Sequence, residues 1–159
     1  MIFDSHAHYD DEAFNEDREA ILNSLPENGI SPIVNVSAQL SGVTATVELT
    51  EKYPFIYGSV GVHPDHVGEL SEEKIQWMKE LAGREKIVAV GEIGLDLYWD
   101  TESDEVQRKW FIRQLELARE LEGKEPINFR RETAMGALAL YISDPSVVNF
   151  QPMNINFGL

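Results

Sequence analysis

Four short apolar runs recur along the first 90 residues, and each is followed by a stretch in which apolar positions have helical spacing. The runs lie at 1–3, 32–36, 55–62 and 86–90. The run at 1–3 is typical of the start of a short buried strand, and the continuous run at 86–90 is typical of a parallel strand that is covered on both faces. We therefore predict a strand at each of the four positions.

The segments between these runs predict four helices. They begin after Asn15 as N-cap, near Val43, after Ser71 and near Asp104, and they end at Pro26, Pro54, Gly83 and Gly123. The third and fourth have clear buried stripes, formed by Ile75, Met78 and Leu81 and by Val106, Trp110, Leu117 and Leu121. Strands that alternate with helices predict an α/β fold made of parallel β/α units of a TIM-type barrel.

Polar residues cluster where three of the predicted strands end. The clusters are 4–8, 63–66 and 92–96. In a β/α barrel the carboxyl ends of the strands carry the chemistry. A polar loop is the ordinary explanation for any one cluster, whereas three clusters at the same end favour a functional site.

The first cluster contains a His-x-His pair. Because successive side chains of a strand point to opposite faces, Asp4, His6 and His8 share one face. Two neutral imidazoles at a strand end can bind one cation, and Asp4 is placed either to accept a hydrogen bond from a ligand or to contact the ion. The alternative is that both histidines are ordinary polar residues where a strand opens into a loop.

Glu92 follows the fourth strand on the face that Val88 and Val90 share, and Gly91 and Gly94 leave space beside it. A carboxylate at this position could bridge two cations, and such a pair can generate hydroxide and bind phosphoryl oxygens. The alternative is a strand-end glutamate that is exposed to water.

Other polar residues near these strand ends have less specific roles. His63 has the inward parity of its strand, and we predict that it contacts a metal ligand or the substrate phosphate. Asp96 could orient a ligand or water, or it could stabilise a turn. His66 follows a proline and is expected to be solvated, and Tyr98 and Trp99 could stack on a base or pack within a loop.

Composition narrows the class of protein. The chain has 159 residues, no cysteine and a net charge of −15, so disulfides and thiolate zinc sites are excluded. Such a charge opposes generic binding to nucleic acid, although a nuclease whose cations supply positive charge locally remains possible. No apolar run has the length of a membrane span and no secretory signal is evident, so we predict a cytoplasmic protein without membrane contact.

Three motifs, at 2–8, 60–64 and 91–96, resemble the TatD family of metal-dependent deoxyribonucleases, and residues 107–118 are similar to that family's helix after the fourth strand. The resemblance covers residues 1–121. It implies an amidohydrolase-like barrel that removes nucleotides from DNA with divalent cations, expected to be two ions of Mg, Mn or Zn. By this resemblance His6 and His8 bind one metal and Glu92 bridges it to a second. Glu92 and His63 are the predicted catalytic residues.

The sequence departs from the family pattern after residue 121. Arg130 lies where the family has a metal-binding histidine. A guanidinium cannot bind a cation, although it can pair with a substrate phosphate, and Glu132 could substitute as the ligand. No histidine follows His66, so the family's later histidine has no match, and the aspartate of the family's last strand has no match either. We treat residues 1–159 as a single domain with a divergent segment at 122–159.

Four β/α units are fewer than a complete barrel, which usually takes ~200 to 250 residues. Self-association through the open edges, a rearranged smaller sheet or a truncated gene product would each explain this number. Three functions stay open: a TatD-type phosphodiesterase acting on DNA or oligonucleotides, a non-catalytic remnant of that family, and a related hydrolase acting on a cyclic amide or ester.

Overall fold

The computed structural model describes residues 1–96, 98 and 101–122, which form four strands alternating with four α-helices. The strands are β1 (Ile2–Ala7), β2 (Ile30–Val36), β3 (Ile56–Val60) and β4 (Ile87–Val90), and the helices are α1 (Arg18–Ser24), α2 (Leu40–Lys52), α3 (Glu72–Ala82) and α4 (Asp104–Glu122). Short 3-10 helices at Glu12–Phe14 and Pro64–Glu69 precede α1 and α3. No helix in this part of the chain is long and apolar enough to cross a membrane. The predicted α/β class is confirmed.

The described sheet is parallel throughout, with the strand order β1-β2-β3-β4. Its register pairs Ala7 with Asn35, Val36 with Ser59 and Val60 with Val90. All four carboxyl ends therefore lie along one edge of the sheet, where the segments that leave the strands are neighbours.

Apolar side chains cover both faces of the sheet. On β2, Ile33 packs with Leu22 and Ile56 in one cluster, whereas Val34 and Val36 belong to another. Neighbouring residues of a strand point to opposite faces, which explains this division. The largest cluster lies among β3, β4 and helices α2 to α4, and it includes the fully buried Val43, Val60, Ile75, Met78 and Leu117.

Helix ends agree with the prediction at α3 and differ at α1. The Ser71 hydroxyl accepts a hydrogen bond from the Lys74 amide at 3.2 Å, and Gly83 ends α3 as expected. The predicted N-cap at Asn15 is wrong, because Asn15 ends the preceding 3-10 helix and accepts a hydrogen bond from the Arg18 side chain at 2.9 Å.

Helix α2 begins three residues before its predicted start at Val43. Its three threonines lower the helix propensity, but two of them, Thr46 and Thr50, face the protein interior and are buried. The Thr50 hydroxyl donates to the Val47 carbonyl at 2.8 Å. Packing and side-chain hydrogen bonds thus contribute more to the formation of this helix than the helix propensity of its residues does.

Two buried glutamines of α4 hold the segments that follow β3 and β4. Gln114 accepts a hydrogen bond from the Val62 amide at 2.8 Å and donates to the Val62 carbonyl at 3.1 Å. Gln107 accepts from the Asp96 amide at 2.8 Å and donates to the Asp96 carbonyl at 2.9 Å. Each amide side chain therefore satisfies a backbone donor and acceptor that the sheet leaves unpaired.

Replacing Gln114 by leucine is expected to lower the free energy of unfolding by about 2 kcal/mol, because the buried N–H and C=O of Val62 lose their partner. Urea denaturation measures the change. The matched control is Gln76→Leu on the exposed face of α3, which should change stability by less than about 0.5 kcal/mol. Equal stability of the two variants would contradict this role for Gln114.

Candidate metal centre

The three side chains predicted as metal ligands lie together at the carboxyl edge of the sheet. His6 is in β1, His8 follows its last residue, and Glu92 lies two residues beyond β4. The Nε2 atoms of His6 and His8 are 2.9 Å apart. Glu92 Oε2 lies 3.8 Å from His6 Nε2 and 3.9 Å from His8 Nε2. Folding therefore brings together side chains from the carboxyl ends of β1 and β4, the two edge strands of the described sheet.

Backbone hydrogen bonds between neighbouring strand ends determine where Glu92 lies. The Gly91 amide donates to the Val60 carbonyl at 3.0 Å, and the Glu92 amide donates to the Ser37 carbonyl at 2.9 Å. A β-carbon on Gly61 would lie 2.6 Å from the Gly91 carbonyl carbon, so only glycine permits this close approach. The position of the carboxylate thus depends on the segments after β2 and β3.

The ring of His8 is oriented by the neighbouring strand. Its Nδ1 lies 2.7 Å from the Val36 carbonyl oxygen, which can only accept a hydrogen bond. The Nδ1 atom therefore carries the hydrogen, and in the neutral ring Nε2 has the lone pair, which lies on the side of His6 Nε2. This arrangement, with one nitrogen donating to a carbonyl and the other available, is usual for metal-binding histidines.

His6 is half-buried, and its environment favours the neutral ring. Burial lowers the pKa of His6, and the nearby Glu92 carboxylate opposes this only in part. Asp4 contacts the backbone of His6, because its Oδ1 accepts a hydrogen bond from the His6 amide at 3.1 Å. A neutral imidazole is the form that binds a cation.

The donor set fits a divalent cation. Ligand atoms about 2.1 Å from one ion are separated by roughly 3 to 4 Å when they subtend an angle of a right angle or more. The separations of 2.9, 3.8 and 3.9 Å fall close to this range. Two imidazoles and one carboxylate suit zinc, manganese or iron.

His63 belongs to a second group that also contains Asp65 and Asp96. The Nδ1 atom of His63 accepts a hydrogen bond from the Asp65 amide at 3.3 Å and lies 3.5 Å from the Asp65 carboxylate. Asp96 is buried, and its Oδ1 accepts from the Tyr98 amide at 2.8 Å. This bond is of the kind by which an aspartate stabilises a turn, and the other predicted role of Asp96, orienting a ligand or water, stays a prediction. The His66 side chain is 42% exposed, and its Nδ1 lies 3.7 Å from the Glu69 carboxylate.

An open cleft of about 920 Å³ connects the two groups, and His8, His63 and Glu92 line it. Arg18 is the one arginine or lysine lining this cleft within the described residues. Its guanidinium donates to the Asp11 carbonyl at 2.8 Å and the Asp10 carbonyl at 3.2 Å. Sequence reasoning missed Arg18, because its position in the first turn of a helix does not indicate that it faces a cleft.

The pair formed by the buried Asn35 and the partly buried Asp10 was also missed. Asn35 is fully buried, and its Nδ2 donates to Asp10 Oδ1 at 2.8 Å. Burial raises the pKa of the Asp10 carboxyl, and the Asn35 hydrogen bond opposes this. An asparagine inside an apolar strand was the available signal. Arg130, Glu132 and Trp99 lie outside the described residues.

Parallel β/α units that carry a His-His-Glu group at the carboxyl edge of the sheet define a class of metal-dependent hydrolase-like barrels. Comparison with known proteins gives the family. Residues 3–146 match the family described as TatD related DNase. The chain therefore belongs to the TatD family.

Individual relatives agree with this assignment. Over 121 residues the chain is 37% identical to the uncharacterized metal-dependent hydrolase YabD of Bacillus subtilis. The aligned stretch covers 76% of this chain and 48% of YabD. Over 121 residues the chain is 30% identical to the 3′-5′ ssDNA/RNA exonuclease TatD of Erwinia tasmaniensis. This aligned stretch covers 76% of the chain and 47% of that enzyme. The chain spans about half the length of the curated relatives it matches.

A solved structure supports the fold. The crystal structure of YjjV, a TatD homologue from Escherichia coli, superposes with a TM-score of 0.67 at 32% identity, covering 76% of this chain and 47% of YjjV. A different kind of protein matches a shorter stretch. Over 48 residues the chain is 64% identical to the tRNA methyltransferase TrmFO of Natranaerobius thermophilus, and this stretch covers 30% of the chain and 11% of TrmFO. That match is too short to show a second family.

Proposed function

We propose that this chain is a divalent-metal-dependent phosphodiesterase that hydrolyses single-stranded DNA or RNA, with His6, His8 and Glu92 as metal ligands. The observation that carries the proposal is their convergence, with the three donor atoms 2.9 to 3.9 Å apart. The name of the relative in Erwinia tasmaniensis, a 3′-5′ ssDNA/RNA exonuclease, supports nucleic acid as the substrate. We further propose two ions of Mg, Mn or Zn, with Glu92 shared between them.

The charge of the protein supports a role for cations in substrate binding. The chain carries a net charge of −15, and Asp10, Asp11, Glu12, Asp65 and Glu92 are among the residues that line the cleft. Such a surface repels phosphate unless positive charge is supplied locally. When bound, divalent cations supply this charge and also lower the pKa of water near the phosphorus.

The side chains of the cleft have distinct roles in this proposal. The His8 Nδ1–H bond to Val36 keeps Nε2 available as a ligand. His63 accepts at Nδ1 from the Asp65 amide, so its neutral ring carries the hydrogen on Nε2, which can donate to a phosphate oxygen. Asp4 holds the backbone at His6, and Asp96 holds the turn after β4. A contact between Arg130 and the substrate phosphate stays a prediction.

Metal analysis and a nuclease assay test this function. Protein dialysed against zinc or manganese should retain two ions per chain by elemental analysis, and it should release nucleotides from end-labelled single-stranded DNA. Removing the metal with EDTA should abolish the release, and adding manganese should restore it. Protein that binds no ion and releases no nucleotide would instead support the non-catalytic function. Hydrolysis of cyclic amides or esters without nuclease activity would support the third function, that of a related hydrolase with a cyclic amide or ester as substrate.

Self-association is part of the same proposal. Strands β1 and β4 are the edges of the described sheet, and parallel edges can pair with another chain. Light scattering at several protein concentrations tests this, and a mass of one chain throughout would contradict it.

A further inference from the structure

Asn35 is a buried polar residue that the proposed hydrolysis does not use. It lies on β2 between Val34 and Val36, and its side chain is fully buried. A buried amide is unfavourable unless its donors and its acceptor are all satisfied. The partners of Asn35 therefore indicate why an asparagine stands in an otherwise apolar strand.

Two of those partners, Tyr9 and Asp10, follow the candidate ligand His8 directly in sequence. The Asn35 Oδ1 accepts a hydrogen bond from the Tyr9 amide at 2.6 Å, and its Nδ2 donates to Asp10 Oδ1 at 2.8 Å. The same Nδ2 donates to the Thr46 hydroxyl at 2.8 Å. The side chain thus holds the two residues after His8 against β2.

The Asn35 contacts and the His8 contact act on the same short segment. Ala7 pairs with Asn35 in the register of the sheet, and the His8 ring donates to the carbonyl of the next residue, Val36. The backbone at Tyr9 and the ring of His8 are therefore both tied to consecutive residues of β2. An amide side chain can accept from a backbone N–H and also donate two hydrogen bonds, one of them to a carboxylate, whereas aspartate lacks the donors and leucine lacks both kinds of group.

Gly42 provides the space that this arrangement requires. A β-carbon on Gly42 would lie 2.6 Å from Asp10 Oδ2. The first turn of α2 therefore leaves room for the Asp10 carboxylate, whose other oxygen Asn35 holds. A side chain at position 42 would displace Asp10 without removing any group of Asn35.

We propose that Asn35 is a positioning residue for His8: through Tyr9 and Asp10 it directs His8 Nε2 toward Glu92 and so determines how tightly the site binds a cation. The inference rests on the proposed function, in which His8 is a metal ligand. Asn35 itself does not contact the cation.

Two variants of the full chain test this role. Asn35→Ala removes the hydrogen bonds, and Gly42→Ala displaces Asp10 while Asn35 stays in place, which keeps the test decisive if Asn35→Ala fails to fold. The matched control is Thr50→Val, which removes a buried hydroxyl from α2 that bonds only to Val47 among the contacts found in the described part of the chain.

Two measurements separate positioning from general stability. Nitrogen NMR of the histidine rings in metal-free protein should show the Nδ1–H tautomer of His8 in the wild type and in Thr50→Val, and a tautomer mixture in the other two variants. Calorimetry with zinc should show about 10-fold weaker binding for Asn35→Ala and Gly42→Ala and unchanged binding for Thr50→Val.

Folded Asn35→Ala and Gly42→Ala proteins that keep the wild-type tautomer and bind zinc as tightly as the wild type would overturn the inference. Wild-type protein that binds no zinc would contradict the proposed function instead. In that case the tautomer comparison alone decides for or against Asn35.

Discussion

Replacing Glu92 by glutamine is expected to slow the proposed metal-dependent hydrolysis of single-stranded DNA by at least about 100-fold. Glutamine keeps the size of the side chain but removes the negative charge that lies 3.8 and 3.9 Å from the two imidazoles. The proposed site would then offer a cation one anionic ligand fewer, and a neutral amide cannot be shared between two ions as a carboxylate can. Steady-state rates with an end-labelled oligonucleotide and manganese measure the effect.

The matched control is Glu80→Gln, which makes the same chemical change on the exposed face of α3. Both variants should have a free energy of unfolding within about 1 kcal/mol of that of the wild type, because neither substitution changes the core. A Glu92→Gln protein that retains wild-type activity would show that this carboxylate does not take part in the reaction. The sites of metal binding and hydrolysis would then have to be sought elsewhere in the chain.

Gly61→Ala should disturb both the fold and the site. The new β-carbon would lie 2.6 Å from the carbonyl carbon of Gly91 and 2.8 Å from its Cα and oxygen. Backbone atoms cannot rotate away from such a contact, so the ends of β3 and β4 must separate. We expect the free energy of unfolding to fall by about 3 kcal/mol. Because Glu92 follows Gly91, we also expect cation binding to weaken by at least about 10-fold.

Guanidinium denaturation and calorimetry with zinc measure these two effects. Gly83→Ala is the control, since its β-carbon would meet the nearest backbone oxygen, that of Glu80, at 3.4 Å and the residue already has helical φ. That variant should change stability by less than about 1 kcal/mol. If Gly61→Ala proves as stable as Gly83→Ala and binds zinc equally well, the close approach of the two strand ends is not needed for the site.

The α/β class and the residues of the candidate site were predictable because both depend on local patterns. The run at 86–90 is apolar at nearly every position, and the structure places β4 within it at Ile87–Val90. The polar clusters after the strands had to share one edge once the strands were parallel. The N-cap of α1 was not predictable in the same way. The Arg18 guanidinium donates hydrogen bonds to the Asn15 side chain and to the Asp11 carbonyl, so Asn15 belongs to the loop before the helix.

The role of Asn35 could not be derived from its own neighbours in sequence. Its partners Tyr9 and Asp10 are about 25 residues earlier, and they reach it only because Ala7 pairs with Asn35 in the sheet. Arg18 raises the same difficulty, since only the folded loop before α1 shows that its guanidinium lines the cleft.

The sequence by itself determined that parallel strands alternate with helices and that His6, His8 and Glu92 lie at or just beyond the carboxyl ends of strands, because side-chain period and apolar runs are local properties. Only the tertiary structure decided that their donor atoms lie 2.9 to 3.9 Å apart. It also decided that the Val36 carbonyl selects the tautomer of His8. These distances depend on strand register and on the close contact at Gly61, and both arise from packing between segments that are far apart in the chain.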